Sequence, residues 1–347
     1  MSKIQVRKLS SEQALTLPDA LSAGGAFTAL DSWSQLVQQT YGYGVYRFEA
    51  IDEKETAGIL ALTHVHHPVF GTYLATSPFG SFGGFAFSSI EARDVLLKEA
   101  QRLADGLGVG YAVVRFMEEG NNPPANWIQN PIYSTYLVEI PPNPEDLMKG
   151  FGHQHRKHTR QSLRKGFKVR FGRLELLDET YEALARSMHE LGSPYHSKNY
   201  LKTMASLLGE NLEFAVIKGA GDSLVGGAVL IYHGSTATNL HANILHKFRS
   251  EYAGECLYWN ILEHYCQQGM KTCDMGRSLN GSGNEMFKFK WKPRKVPLAY
   301  WYYLPKGGHI PELNQKSVKF QFAIWMWKRL PAFVVRTLGP SLIRGIV

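Results

Sequence analysis

The sequence predicts an α/β (α+β) fold made of two successive domains, each a mixed central sheet flanked by helices. Three observations carry that expectation. The chain has 347 residues, more than an average domain holds, and two units of roughly 150 residues are the default at that length. Its 44% hydrophobic and 20% charged residues describe globular units with sizeable cores rather than a disordered chain. Helical and strand-like segments also follow an order that begins again after Pro141-Pro142-Asn143-Pro144, a stretch that continues neither a helix nor a sheet. The expected boundaries are therefore a first domain over 1–143, a second over 144–308 and a tail over 309–347.

In the first domain a helix over 33–41 is closed by Gly42 and Gly44, and strands over 45–49 and 58–65 flank an acidic turn at 52–55. Residues 70–87, rich in Gly, Ser and aromatics, read as a loop with a short strand. Val95, Leu96, Ala100, Leu103 and Leu107 recur at helical spacing and predict an amphipathic helix over 90–107, ended by Gly106 and Gly108. Strands over 111–116 and 133–140 enclose a loop at 117–131. The second domain opens with a basic helix over 144–165 and a strand over 167–173. Helices over 178–191 and 198–208 follow, then strands over 212–218, 224–233 and 236–242. A long helix over 256–268 leads to closing strands at 272–275 and 298–304. The two halves share element order without a visible sequence repeat.

The net charge of +8 is unevenly distributed. Residues 147–174 contain nine Lys or Arg and no acid, and 313–347 contain six and no acid, so the rest of the chain is mildly acidic. Two basic surfaces on such a body point to anionic partners: phosphate groups, RNA or a lipid surface. Within the first run Arg156, Arg160 and Arg164 recur every four residues and share one helix face. Like charges at that spacing repel, and an anion relieves the repulsion; the planar guanidinium fork suits phosphate. The tail from Lys316 to Arg344 combines aromatics with basic charge around a break at Pro331, a pattern that suits peripheral membrane contact; packing on the first domain is the alternative.

The N-terminal residues lack the apolar core of a signal peptide, and no apolar run reaches membrane-spanning length. Cys256, Cys266 and Cys273 are odd in number, and the first two stand too far apart along one helix to bridge. The expected setting is cytoplasmic, at most peripheral at the inner face of the membrane, with reduced core thiols. His64, His66 and His67, and His153, His155 and His158, lack the Cys or carboxylate companions of a closed zinc site, so no metal is expected.

The stretch 271–303 carries the chemistry. A strand ends at Asp274, glycines follow at 276, 281 and 283, and an aromatic run studded with lysine comes next. A loop at a strand end presents backbone N–H groups to an anion or a carbonyl oxygen, and Arg277, Ser278, Lys288 and Lys290 add donors. Neither a Ser/His/Asp nor a Cys/His arrangement is recognisable, so a covalent enzyme intermediate is not expected.

Asp274-Met275-Gly276-Arg277-Ser278, with Gly281, Gly283, Phe287-Lys288, Trp291 and Tyr300, resembles the C-terminal signature of FemAB-type acyltransferases, most closely the variety that accompanies exosortase (PEP-CTERM) systems. The resemblance implies two GNAT-like domains in tandem, the second bearing the catalytic motif. It implies acyl or aminoacyl transfer to an amine or hydroxyl of a cell-envelope precursor, of peptidoglycan or exported polysaccharide. Lys288 would stabilise the tetrahedral oxyanion, with Asp274 as a candidate base. Gly276, Arg277, Ser278 and Trp291 would contact substrate, as would the loop of Ser77, Phe79 and Phe82. Arg156, Arg160 and Arg164 would grip a phosphate-containing or lipid-linked acceptor across a groove from Lys288.

No permanently bound cofactor is expected. The donor is either an aminoacyl-tRNA or an acyl-CoA. The segment from Arg249 to Glu255 has one glycine, Gly254, where a CoA pyrophosphate would want more backbone amides. Two rival readings are an acyl-CoA-dependent N-acyltransferase of small molecules or sugars, and a non-catalytic module that binds RNA or anionic lipid.

Overall fold

The computed structural model describes residues 4–10, 13–15, 18, 26–117, 120, 122–306, 308–310 and 318–346. In chain order, β1 (Gln5–Leu9), α1 (Asp31–Tyr41), β2 (Gly44–Asp52), β3 (Glu55–His67), β4 (Gly71–Ala75), β5 (Phe85–Phe87), α2 (Ile90–Leu107), β6 (Ala112–Met117), β7 (Trp127–Gln129) and β8 (Tyr133–Glu139) come first. Then come α3 (Pro144–Gly150), α4 (His153–Leu163), β9 (Lys168–Gly172), α5 (Leu177–Leu191), α6 (Lys198–Leu208), β10 (Leu212–Lys218), β11 (Leu224–His233) and β12 (Thr236–Ile244). The chain continues through α7 (Ala253–Gln267), β13 (Thr272–Asp274), β14 (Ser278–Leu279), α8 (Gly283–Phe289), β15 (Arg294–Tyr303), α9 (Val318–Trp327) and α10 (Ala332–Ile343).

These elements form two compact units. The first comprises 1–134, 296–312 and 344–347; the second comprises 135–295 and 313–343. In the first unit β1, β2, β3 and β4 pair antiparallel in turn, β4 and β6 pair parallel, and β6 pairs antiparallel with β15. In the second, β9, β10, β11 and β12 pair antiparallel, β12 and β13 pair parallel, and β13 pairs antiparallel with β8. The two sheets have the same topology, and in each the parallel pair is bridged by a crossover containing a helix: α2 before β6, α7 before β13. The sixth strand of each sheet comes from the other half of the sequence. That exchange is why the units part at 134/135 and take back 296–312, where composition alone had placed the boundary at Pro141–Pro144.

Each crossover helix supplies the heart of a core. Ser89 caps α2, its Oγ accepting from Ala92 N at 3.1 Å, and Gly108 ends it at φ 64, a left-handed geometry that favours glycine. The face between them buries Leu96, Leu97, Ala100 and Ala104 against Phe48, Leu62, Val114 and Trp301. In the second unit Cys256, Leu257, Ile261, Leu262 and Tyr265 of α7 pack on Val225, Leu230, Val138 and Trp291. Each fully buried Leu or Ile contributes about 1.5–3 kcal/mol relative to exposure. The three cysteines are free and buried, and burial pushes the Cys256 thiol up to about 11.

Three local expectations are corrected. The basic helix over 144–165 is two helices, because Phe151 turns into the core in an extended conformation and Gly152 starts α4. The stretch after Gly283 folds as α8, and the closing strand begins at Arg294 rather than 298. Residues 118, 119 and 121 of the expected 117–131 loop, and 311–317, where the sequence places the start of the tail helix, lie outside the described residues. The described part of the tail forms α9 and α10, which are assigned to the second unit, while its last residues from Arg344 are assigned to the first.

Candidate active site

In the second unit the parallel pairing of β12 and β13 runs over Thr236–Thr272, Ala237–Cys273 and Thr238–Asp274 and stops there. β12 continues to Ile244 beside β11, with a register shift that sets Leu240 out of the ladder. The chain after β13 turns instead toward β8, where Met275 N donates to Tyr136 O at 2.9 Å. The two strands therefore part beyond Asp274, leaving a half-buried stretch of β12 at Leu240, His241, Ala242 and Asn243 without its parallel neighbour.

The loop past Asp274 is fixed by buried polar groups. Gly276 takes φ 75 and donates its N–H to Asp274 Oδ1 at 2.9 Å; Thr135 Oγ1 donates to the same oxygen. Lys288, on α8 and 2% exposed, donates to the carbonyls of Gly276 at 2.6 Å and Arg277 at 3.0 Å. Its ammonium lies 5.2 Å from the centre of the Tyr136 ring. Burial pulls the Lys288 ammonium down to about 8, against the upward pull of Asp274 and Cys273. Burial raises the Asp274 carboxyl, opposed by its bonds from Thr135 and Gly276.

Glu285, also buried, closes the other end of the loop. Ser282 Oγ accepts from Glu285 N at 3.2 Å, starting α8. The Glu285 carboxylate accepts from Gly281 N, from Tyr136 OH at 2.6 Å and from Lys295 Nζ at 2.7 Å. The Lys295 bond, followed by that of Tyr136, holds its carboxyl down at about 2. Ser278, buried beside them, accepts from Asn284 Nδ2 at 3.0 Å, and Arg277 is half-buried. The expectation of open backbone amides thus fails at three positions. The N–H groups of Gly276, Gly281 and Ser282 are engaged by Asp274, Glu285 and the Leu279 carbonyl.

The arginine row and Lys288 do not line one groove. Helix α4 buries His155, Thr159 and Ser162. Arg160 and Arg164 are exposed on the other side, and Arg156 donates to the carbonyls of Lys149 at 2.9 Å and Phe151 at 3.0 Å. Lys290 is drawn to Glu255 at 3.0 Å. Trp291 is fully buried between Phe151, His155 and Tyr258, and it forms one wall of a cleft of about 560 Å³ lined also by Leu137, Ile140, Leu147, Lys292 and Arg294. The His155 ring, centred 4.3 Å from that of Trp291, has both nitrogens buried without partners, and burial lowers it to about 4. His158 stacks on Tyr252 instead.

In the first unit the loop of Ser77, Phe79 and Phe82 is a rigid turn. Ser77 and Phe79 take φ 50 and 62, strained values for residues with side chains. The Phe82 carbonyl accepts from Ser77 Oγ at 2.7 Å and Thr28 Oγ1 at 2.8 Å; the Pro78 and Ser81 carbonyls accept from Trp33 Nε1 at 2.9 Å and Tyr300 OH at 2.8 Å. Ser77 and Phe82 are buried and Phe79 half-buried against Tyr41.

Thr135, Tyr136 and Glu285 are the site residues that sequence reasoning missed. For Glu285 the signal was present: Ser282 and Glu285 have the spacing of a capping box. For Thr135 and Tyr136, which reach the loop from β8, no local signal exists.

Residues 153–290 match the family model described as an acetyltransferase (GNAT) domain, placing an acyltransferase domain in the second unit. No curated protein matches the sequence. The fold is similar to that of FemX, at 15% identity over 81% of this chain and 93% of that one, with a TM-score of 0.63. It is similar to a tandem GNAT protein from the clavulanic acid biosynthesis pathway (11% identity, 86% and 98% covered, TM-score 0.53). A third likeness is to the C-terminal domain (DUF2156) of a putative lysylphosphatidylglycerol synthetase from Agrobacterium fabrum (13%, 77% and 85%, 0.52). At such identities the likenesses establish the fold: two GNAT-like domains in tandem.

Proposed function

We propose that this chain is a FemAB-like acyl or aminoacyl transferase acting on an amine or hydroxyl of a cell-envelope precursor. The observation that carries the reading is the parting of β12 and β13 beyond Thr238 and Asp274, inside the segment that matches an acyltransferase domain, with a buried ammonium behind the first residues past the gap. A donor carbonyl entering the gap meets β12 backbone that has no parallel neighbour. The acceptor nitrogen or oxygen attacks the carbonyl carbon and forms the new C–N or C–O bond. The tetrahedral oxyanion then collapses, the donor's C–O or C–S bond breaks, and the departing oxygen or sulfur takes the acceptor's proton. Lys288 stabilises the oxyanion through its charge and by fixing the Gly276–Arg277 backbone; Asp274 holds the same turn from the other side. The exposed Arg160 and Arg164, with Arg156, attract a phosphate-bearing acceptor, and the cleft beside Trp291 accommodates its uncharged part.

The donor is an aminoacyl-tRNA or an acyl-CoA. The basic residues of 147–174 favour a polyanion such as tRNA. The test is direct: purified protein is incubated with acetyl-CoA or a set of aminoacyl-tRNAs, and with nucleotide-linked and lipid-linked envelope precursors, and products are identified by mass. An acylated precursor is expected from one donor class. Absence of product from every pairing overturns the transferase reading, and full activity in Lys288→Ala overturns the role given to that lysine.

A further inference from the structure

Helix α9 reads VKFQFAIWMW, apolar nearly all round, a composition that belongs to a helix covered on every side. Among its described side chains, those on one side are covered by the protein. Trp327 is buried, its indole Nε1 donating to Ser193 O at 3.2 Å, and Ile324 packs at Gly192. His189 Nε2 meets the Trp327 carbonyl at 3.1 Å, and on α10 Arg336 pairs with Glu182 at 2.6 Å. The opposite side of α9 carries Phe322 at 61% exposure, Trp325 at 51% and Met326 at 46%, with Phe333 at 72% at the start of α10. Five of the fifteen exposed large hydrophobic side chains among the described residues fall between 322 and 338, a concentration unlike the scattered apolar residues of an ordinary surface.

The face also carries charge of one sign. Arg329 follows Phe322, Trp325 and Met326 on the same helical row, and its guanidinium lies 3.9 Å from the centre of the Trp325 ring. Phe322 and Trp325 stack at 5.8 Å. Lys328 adjoins, and the sequence from 313 to 347 contains no Asp or Glu. A protein partner's hydrophobic patch would satisfy the aromatics but not the absence of acids. An anionic lipid surface satisfies both, since indole and phenyl rings sit at the headgroup boundary while guanidinium and ammonium groups meet lipid phosphates.

We propose that the outer face of α9 and the start of α10 dock this protein on a membrane containing anionic lipid. The docking is peripheral: among the described residues no helix is long and apolar enough to cross a membrane. It does not depend on the chemistry proposed above, and none of its residues belongs to the candidate active site.

The test uses the full chain with sedimented vesicles of phosphatidylcholine alone and of phosphatidylcholine with about one third phosphatidylglycerol. Binding is expected to the mixed vesicles, at least tenfold weaker to the neutral ones, and weakened when salt is raised from ~0.05 to ~0.5 M. Phe322→Glu with Trp325→Glu abolishes binding while leaving the melting temperature unchanged. If that double variant fails to fold, Phe322→Ser with Trp325→Ser gives the same result through lost apolar contact. Failure to bind either vesicle, equal binding to both, or full binding by the serine variant overturns the proposal. So does a dimer in solution that these substitutions dissociate without any vesicle binding having been present.

Discussion

The ammonium of Lys288 lies 2.6 Å from the carbonyl oxygen of Gly276, and Gly276 N in turn donates to Asp274. A buried ammonium and a buried carboxyl thereby hold the carbonyl and the N–H of one residue, and the turn that follows the parting strands is fixed by polar side chains. The consequences are measurable.

The first concerns Lys288 and pH. Its folded value of about 8 lies below its ordinary 10.5, so the folded protein gives up this proton before the unfolded chain does. Stability therefore rises as pH goes from about 8 toward 10.5, where the unfolded chain still binds the proton. Denaturant melts across that window should show the rise in the native protein and not in Lys288→Met. Transfer that depends on the charged form should instead fall with an inflection near 8, and Lys288→Arg should move the inflection upward.

Glu285 has the opposite sign. Its folded carboxyl, held at about 2, lies below its ordinary 4.5, so its contribution is complete above 4.5 and is lost as pH falls toward 2. Glu285→Gln leaves Lys295 without its anion and should cost about 2 kcal/mol at neutral pH. It should also flatten the acid limb of the stability profile between those two values. An unchanged midpoint in urea would contradict the anchoring role.

His155 tests the cost of an orphaned ring. It is neutral in the fold, and its lowered value of about 4 against an ordinary 6.5 means that stability declines as pH drops through that interval. His155→Phe removes the buried unpartnered nitrogens and keeps the ring edge against Trp291. The variant should be at least as stable as the native chain at pH 7 and should lose the decline at lower pH, as read from melting temperatures.

The loop of the first unit is sensitive to bulk. A Cβ at Gly80 would come within 2.5 Å of Thr28 Cγ2 and 2.6 Å of Ser77 Oγ, the two residues that hold the Phe82 carbonyl. Gly80→Ala should cost about 1–3 kcal/mol, whereas Gly106→Ala, with open space around it, should cost nothing and serves as the control. Equal melting temperatures for the two would show that the turn is soft.

Where periodicity was strong, sequence sufficed. The helix over 90–107 is α2 with the same limits, because its caps and its apolar stripe are local. The long helix before β13 was expected at 256, but α7 starts at Ala253, because Tyr252 at φ 59 turns the chain earlier than any residue pattern shows. The loop at 276–283 was legible from its glycines, and Lys288 was singled out through family resemblance. That Lys288 would be buried was not, since its surroundings come from Gly276, Arg277 and Tyr136, the last 152 positions or so distant by way of a strand whose partner no local rule selects. Arg156 and Arg160 share a face of α4, and Arg164 continues it at the C-cap. Which way that face points was decided by His155, Thr159 and Ser162, small or aromatic polar residues that look unfit for burial until Trp291 and α7 are placed against them.

Because β15 completes the sheet of the first unit, Met117 and its neighbours on β6 wait for residues that the ribosome makes almost two hundred codons later. At cellular translation speeds that delay is on the order of ten seconds or more. An unclaimed strand edge must survive for that time, which makes the nascent first half a natural client for chaperones. The same exchange ties the halves together in evolution: a gene fragment encoding either one alone would produce a sheet missing its last member.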